Sequence, residues 1–345
     1  MLCLTRSSLP LLLVASLACG CKASAPAKSA VESKDAAFTS LAREYLEDIY
    51  RRQPTQATDL GIHKYDDQLE NYSRQAVMDS IAAARGFRTR VSAIEPAALS
   101  SATQLDREQL LHAIDSRILT LEVVRPWAKD ADSYSSGLTN TAYVMIKRRF
   151  APLDERLRKL IAREKAMPAA LLEARKNIED APRIYTQIAI EQIEGNRSFF
   201  KTAVPGAFTD IQDKALLDEF NQANGAVIAA LADYKKWLQN DLLKRSNGAF
   251  AFGEDTYRKK LLADEMIDVP LDQLLAIADR DLRKNQSAFA EVVKRIDAVK
   301  SPEQALAAIE ADHPPAPTLL QYTQQELDAI GRFMTDHHII TIPQA

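Results

Sequence analysis

The sequence is poor in the residues that phosphate-binding loops and most metal sites need. Only ten glycines occur in 345 residues, and neither G-x-x-x-x-G-K-[ST] nor G-x-G-x-x-G is present. The nucleophile pattern G-x-S-x-G is also missing. No His-Glu pair occurs, so the chain has no H-E-x-x-H, the motif that places two imidazoles one helical turn apart on a zinc ion. The sequence therefore identifies no catalytic residue, no cofactor-binding residue and no metal ligand.

Cysteine and excess charge are scarce as well. All three cysteines lie within the first 21 residues, so the rest of the chain cannot form disulfides and must be stabilised by a buried core. The formal net charge is only −3, and acidic and basic residues are interleaved along the chain. Nucleic-acid binding, which needs a basic face that displaces counterions, is therefore not expected.

The longest uncharged run lies near the N-terminus, between Arg6 and Lys22, and its apolar part is too short to cross a membrane. Its apolar part, residues 9–18, falls well below the roughly 20 residues that span a bilayer and is typical of the apolar region of a secretory signal. Small residues then lead into cysteine, as in the bacterial lipobox, where the cysteine is lipidated and becomes the mature N-terminus. Gly20 favours lipidation at Cys21, and Cys19 is the alternative. The sequence predicts a lipoprotein signal peptide over 1–20.

Other readings of the leader are weaker. A plain signal cut near Ala25 is disfavoured because Pro26 follows directly.

The small, polar residues of 21–35 predict a flexible tether. Several acyl chains on one cysteine would anchor the chain firmly, since each buried CH₂ contributes about 0.8 kcal/mol. We expect an exported cell-envelope lipoprotein that contacts the membrane through its lipid. Lys22 after the cysteine favours an outer membrane facing the periplasm, if the host has two membranes.

Residues 36–345 show the three- and four-residue apolar spacing of amphipathic helices almost throughout. The pattern predicts a mainly α fold, a multi-helix domain with long amphipathic helices and at most a little β structure. Pro152 and Pro168 each stand where a helix tolerates proline, which predicts two successive helices. The stretch "SNGAFAFGEDTYRKKL" interrupts the rhythm and predicts a loop with a short extended piece, followed by a helix from Asp255.

The histidines do not form a metal-binding pattern. His337 and His338 are neighbours, so their side chains diverge on a helix and point to opposite faces on a strand. They fit a helix C-terminus, where histidine suits the negative end of the dipole, better than a shared ion. Recruitment of a metal by one of them with distant carboxylates is a weaker third hypothesis. His63, in "LGIHKYDDQLENYS", fits a hydrogen-bonded structural role, with a functional loop as the alternative.

Four strings in order resemble the N-terminal half of the bacterial domain-of-unknown-function family 885. They are "YLEDIYRRQPTQATDLGIHKYDDQLENYS", "RRFAPLDERLRKLIAREKAMPAALLEARKNIEDAP", "AFAFGEDTYRKKLL" and "RFMTDHHIITIP". Family members are mostly helical, many are predicted lipoproteins, and they resemble zinc metallopeptidases. The resemblance implies a peptide substrate and Zn²⁺ for full-length members only. Their metal motif, approximately H-E-x-x-P-G-H, lies downstream of the segment that matches "IITIP", and this chain stops before it.

The resemblance also marks one loop as part of a substrate cleft. The family's Gly-Glu-x-x-Tyr segment matches Gly253, Glu254 and Tyr257. A simple helix-entry loop is the alternative, because acidic residues suit the positive start of a helix.

Two functional hypotheses follow. The first is the N-terminal helical part of a lipid-anchored metallopeptidase-like protein, truncated before the metal motif and inactive alone. A shortened gene, a frameshift, an incomplete sequence or a genuine short paralogue would each produce such a chain. The second is a stand-alone helical envelope lipoprotein that acts as a binding or scaffolding module.

Overall fold

A computed structural model describes residues 26–343. The predicted signal peptide 1–20 and both candidate lipidation sites, Cys19 and Cys21, lie outside the described residues. Across the described part the structure is helical and contains no strand, so the predicted mainly α fold is confirmed. Within this part, no helix is both long enough and apolar enough to cross a bilayer.

The chain divides into two compact units, Met1–Asp268 and Val269–Ala345, where the sequence predicted one helical domain over 36–345. The first unit contains α1 (Pro26–Arg52), α2 (Pro54–Asp59), α3 (Arg74–Ser92), α4 (Ser101–Leu119), α5 (Pro126–Lys129), α6 (Asp132–Lys147), α7 (Leu153–Asn177), α8 (Arg183–Lys201), α9 (Ala203–Gly206), α10 (Lys214–Trp237), α11 (Leu243–Arg245) and α12 (Glu254–Glu265). The second contains α13 (Leu271–Ile296), α14 (Pro302–Glu310) and α15 (Leu319–Asp336).

Two apolar clusters form the core of the first unit. The larger one joins α6, α7, α8 and α10, and its members on α7 recur at three- and four-residue steps. The smaller one joins α1, α3 and α4 through Phe38, Leu41, Tyr45, Val91 and Ile114. The apolar residues that recur along these amphipathic helices are therefore the ones buried against neighbouring helices.

Helix α1 begins earlier than the sequence suggested. It starts at Pro26, so residues 26–35, which we predicted to belong to a flexible tether, are helical. The end of this segment also makes a specific contact, because the Asp35 carboxylate accepts a hydrogen bond from the backbone N–H of Ser100 at 3.0 Å. A run of small polar residues does not reveal such a contact when it is read alone.

The prediction of two helices divided at Pro168 is wrong. Helix α7 continues through Pro168, with Pro152 as its N-cap residue. Met167, Ala170 and Leu171 on either side of the proline are buried in the core. Packing of this face offsets the hydrogen bond that proline removes, so tertiary contacts override the local preference for a break.

The predicted loop before α12 contains no extended strand, and the helix starts one residue earlier than expected, at Glu254. Gly248 anchors this loop: its N–H donates to the carbonyl oxygen of Ala181 at 3.0 Å. Its Cα lies so close to Asp180 that any Cβ would collide with the backbone carbonyl there. Glycine is required at this close approach.

The second unit is amphipathic but poorly covered. Within it, Val293 and Ala305 are buried, whereas α15 buries none of its residues. Leu275 and Leu282 on α13 and Leu320 on α15 are more than half exposed. The second unit therefore leaves large apolar side chains of two helices exposed to solvent.

Candidate functional site

The predicted cleft loop lies at the exposed start of α12. Gly253 has φ +82°, a left-handed conformation that favours glycine, and it directly precedes the helix. Glu254 occupies the first turn, where its charge complements the helix dipole. The Tyr257 ring lies 6.3 Å from that of Phe252. None of these three residues lines the cavity of about 300 Å³ that lies beside α12. That cavity is lined by residues of α4 and by later residues of α12, such as Leu262. A substrate-binding role for these three residues therefore stays a prediction.

A different cavity brings together polar and aromatic side chains from several elements. It lies where the end of α1, the loop before α3, the end of α4, α5 and the start of α6 meet, and its volume is about 270 Å³. We call it the polar cleft, and define it by the residues whose chemistry matters most: Arg52, Glu70, Tyr72, Arg117, Trp127 and Tyr134.

An irregular segment after α4 places the aromatic side chains of the polar cleft. Helix α4 ends in a π-helical turn, Thr120–Val124, and Arg125 then adopts a left-handed conformation with φ 56°. This reversal brings Trp127 back against the turn, where its Nε1–H donates to the carbonyl oxygen of Leu121 at 2.7 Å. Tyr134 in turn donates its hydroxyl proton to the carbonyl oxygen of Trp127 at 2.6 Å. Both rings are therefore fixed by backbone contacts, and π turns of this kind often occur at functional sites.

Glu70 is held in a defined orientation. Its carboxylate accepts hydrogen bonds from the backbone N–H of Thr55 at 3.0 Å and from the Thr55 hydroxyl at 2.7 Å. The Tyr72 hydroxyl donates to it at 3.4 Å. Burial, followed by the negative charge of Glu70, raises the pKa of Tyr72 well above its usual range, so this phenol stays protonated as a donor. Glu70 and Tyr72 also line a second cavity, about 260 Å³ in volume.

The cationic side of the polar cleft is formed by two arginines. Arg52 donates through Nε to the Asp48 carboxylate at 2.8 Å. Arg117 donates through Nη1 to the neutral side-chain oxygen of Gln53 at 3.2 Å. Burial lowers the pKa of the Arg117 guanidinium, and no carboxylate of the described chain lies within 4 Å of it. A half-buried guanidinium without a carboxylate partner is suited to binding an anionic group, because its planar donors match carboxylate geometry.

A buried ionic network stabilises the region around α2 and α7. Asp66 is fully buried, accepts a hydrogen bond from the Thr58 hydroxyl at 2.6 Å, and forms an ion pair with Lys159 at 3.3 Å. His63 is hydrogen-bonded to Asp66 at 3.0 Å through Nδ1 and stacks on Phe150, which agrees with a structural role for this histidine.

Two ionisable side chains of α7, Arg163 and Glu164, are fully buried. Arg163 donates through Nη2 to the Thr58 hydroxyl at 2.5 Å, while its Nε and Nη1 have no partner among the described residues. Neither oxygen of Glu164 has a hydrogen-bond partner among these residues, and burial raises its pKa to about 8. Glu164 occupies a position of the apolar stripe of α7, between Leu160 and Met167.

The residues that are present do not fit a zinc centre. From residue 26 to residue 343, no group of three or more His, Cys, Asp or Glu side chains is arranged to hold a metal ion. His337 follows directly after α15, where it stacks on Phe333 and its Nδ1 lies 3.0 Å from the Phe333 carbonyl oxygen. The predicted position at a helix C-terminus is confirmed. His338 adopts a left-handed conformation with φ 52°.

Sequence reasoning missed most of the polar cleft. Only the loop with Glu70 and Tyr72 carried a signal, since it belongs to the turn-like stretch considered as a functional loop. Arg117 is one of many charges on an amphipathic helix, and no local pattern distinguishes it. The lack of a carboxylate partner for Arg117 depends on its contact with Gln53, directly after α1, and this residue is distant from Arg117 in the sequence.

The matches to known proteins agree with this helical architecture. Residues 54–345 match the family described as "Bacterial protein of unknown function (DUF885)". This chain belongs to the DUF885 family. The predicted family resemblance is thereby confirmed. No curated protein matches the chain.

A solved structure from Shewanella oneidensis shares the fold, with a TM-score of 0.67 at 21% sequence identity. It is described as "a putative lipoprotein of unknown function". The match covers 89% of the present chain and 58% of that chain, so our DUF885 chain spans less than two thirds of the length of this relative.

Proposed function

We propose that this DUF885 protein is the peptide-binding, helical part of an exported, lipid-anchored, metallopeptidase-like protein. The polar cleft carries this proposal. It combines a fixed carboxylate, an unpaired guanidinium and rigid aromatic side chains, which together offer partners for the charges, backbone amides and side chains of a peptide. Hydrolysis would require Zn²⁺-activated water, and the sequence contains no H-E-x-x-H to hold that ion. We therefore propose that the chain binds peptides but does not cleave them alone.

A peptidase assay tests this proposal. The full chain, purified in detergent, is incubated with a mixture of short peptides, with and without added Zn²⁺, and products are separated by chromatography. We expect no cleavage above the buffer control in either condition. Metal analysis of the purified protein should find only trace zinc, and the amount should be the same in the variant His337→Ala. Cleavage that a chelator abolishes would contradict the proposal.

The anchor is supported by the lipobox-like leader and by the description of the Shewanella oneidensis relative as a lipoprotein. We propose that Cys21 is the lipidated residue, which would hold the protein at the cell envelope, on the periplasmic face of an outer membrane if the host has one. The membrane would then be a partner through the lipid alone.

Metabolic labelling with a fatty-acid analogue tests the anchor. Cys21→Ala is expected to abolish incorporation of the label and to release the protein from the membrane fraction, whereas Cys19→Ala retains both. The reverse pattern would assign the lipid to Cys19. Equal labelling of both variants and wild type would show that neither cysteine is the anchor.

The exposed apolar faces of α13 and α15 favour a second candidate, a binding or scaffolding module of the envelope. In this case the second unit would hold a protein partner, and the polar cleft would have no ligand. The two proposals differ in direct peptide binding, which the scaffold alternative does not predict.

A further inference from the structure

The polar cleft contains a positive charge that the described part of the chain leaves without an opposite charge in contact. The only side-chain acceptor that contacts Arg117 in this part is the neutral amide oxygen of Gln53. Taking a guanidinium out of water costs free energy unless an anion compensates it. A half-buried cation that lines a cavity is therefore a position where a bound anion would gain most.

Neighbouring arginines show that this arrangement is unusual in this region. Arg85 pairs with Glu122, and both Arg74 and Arg125 pair with Glu179. These three guanidiniums line the adjacent cavity beside Trp127, and each of them is paired with a carboxylate, although Arg74 and Arg125 share Glu179. Arg117 differs because it faces the polar cleft without one.

The nearest acidic group is already engaged. Asp48 contacts Arg51 at 2.5 Å and Arg52 at 2.8 Å. Both of its oxygens are therefore already paired with other guanidiniums. Asp48 affects Arg117 only through the longer-range Coulomb attraction, and Arg52 opposes it. This end of the polar cleft therefore has an excess of positive charge.

We propose that Arg117, supported by Arg52, binds a carboxylate group of the peptide that occupies the polar cleft. The inference rests on the proposed peptide-binding function and adds the group that is recognised. Trp127 and Tyr134 line the same cavity and provide apolar surface for a neighbouring side chain. The carboxylate could be the C-terminus of the peptide or an acidic side chain, since both offer the same bidentate acceptor.

Fluorescence of Trp127 provides a direct assay of binding. The chain has only two tryptophans, so Trp237→Phe leaves Trp127 as the sole reporter. The probes are the tripeptide Ala-Phe-Ala with a free carboxylate, its C-terminal amide, and Ala-Asp-Ala amide. We expect the free acid to bind about tenfold or more tightly than its amide, because a charge-assisted bond is lost. Tight binding of Ala-Asp-Ala amide would assign the carboxylate to a side chain.

The variant Arg117→Gln separates recognition from folding. It should weaken binding of the carboxylate probe about tenfold or more and affect binding of Ala-Phe-Ala amide much less, so that the preference for the carboxylate is lost. Its melting temperature should not fall below that of wild type, because the change removes a cation that burial disfavours. Arg107→Gln is the matched control: it makes the same charge change on the same helix, about 15 Å along α4, and should bind like wild type.

The outcomes distinguish this inference from the proposed function. If neither Ala-Phe-Ala acid nor Ala-Asp-Ala amide binds more tightly than Ala-Phe-Ala amide, or if Arg117→Gln binds the preferred carboxylate probe as wild type does, carboxylate recognition is wrong while peptide binding stands. If no probe binds, both fail. Loss of the acid preference in Arg117→Gln, with its retention in Arg107→Gln, supports both.

Discussion

Glu164→Gln is expected to raise the free energy of unfolding by about 3 kcal/mol at pH 7. Glu164 is fully buried in the apolar stripe of α7, and no described group donates a hydrogen bond to either of its oxygens. Burial raises its pKa from the ordinary 4.5 to about 8. The folded protein therefore keeps this carboxyl protonated at neutral pH, whereas the unfolded chain ionises it freely. Glutamine resembles the protonated form and removes this cost.

The sign of the effect sets a pH window. A group whose pKa is higher in the folded state stabilises the fold fully below its unfolded pKa, and that stability is lost as pH rises through the folded pKa. For Glu164 the loss runs from about pH 4.5 to about pH 8. Over this window the wild-type protein should become less stable, and the contribution of this one group to the slope should vanish in Glu164→Gln.

Urea unfolding at several pH values measures this difference. Glu173→Gln, on the same helix and paired at the surface with Lys176, is the matched control and should change stability by only about 0.5 kcal/mol. The gain for Glu164→Gln should grow from pH 5 to pH 8. A gain that is the same at both ends of this range would show that Glu164 does not titrate as a buried acid.

The apolar periodicity explains why most helices could be predicted from the sequence. The apolar spacing predicts helices over 271–299, 302–311 and 324–336, and the structure contains α13, α14 and α15 there, with ends that differ by at most five residues. A serine directly before an amphipathic stretch predicts an N-cap, and the Ser73 hydroxyl indeed accepts the hydrogen bond from the Ala76 N–H at 3.2 Å at the start of α3. Such signals are local, so they can be recognised in the sequence without knowledge of the tertiary structure.

Features that depend on distant contacts could not be predicted in this way. The continuation of α7 through Pro168 depends on burial of its flanking residues by other helices. The polar cleft depends on the approach of α1, α4 and α6, and the spacing of Arg52, Glu70 and Arg117 along the chain gives no hint of it. The family resemblance led instead to Gly253 and its neighbours, which lie at the start of α12.

Asp66→Asn is expected to lower the free energy of unfolding by about 3 kcal/mol. Asp66 is fully buried and holds Thr58, His63 and Lys159 through its two oxygens. It is also one of the acidic groups whose charge favours the ionised form of the fully buried Arg163. Asparagine can still accept one hydrogen bond, but it cannot compensate a buried cation, so one of the charges that offset the cost of burying Arg163 is lost.

The neighbouring residue provides the control. Asp67 is exposed, so Asp67→Asn makes the same chemical change one position along the chain and should alter stability by no more than about 0.5 kcal/mol. Both variants are compared with wild type by urea unfolding at pH 7. Equal losses in the free energy of unfolding for the two variants would show that burial of Asp66 does not determine its contribution to stability.

A double-mutant cycle identifies the partner that matters. Arg163→Met removes the buried cation and keeps an unbranched side chain in its place. If the charge of Asp66 mainly compensates Arg163, then Asp66→Asn should cost about 1 kcal/mol or more less in the Arg163→Met background than in wild type. Strictly additive costs would mean that Asp66 stabilises the fold through Lys159 and its hydrogen bonds to Thr58 and His63, and that the charge of Arg163 is balanced elsewhere.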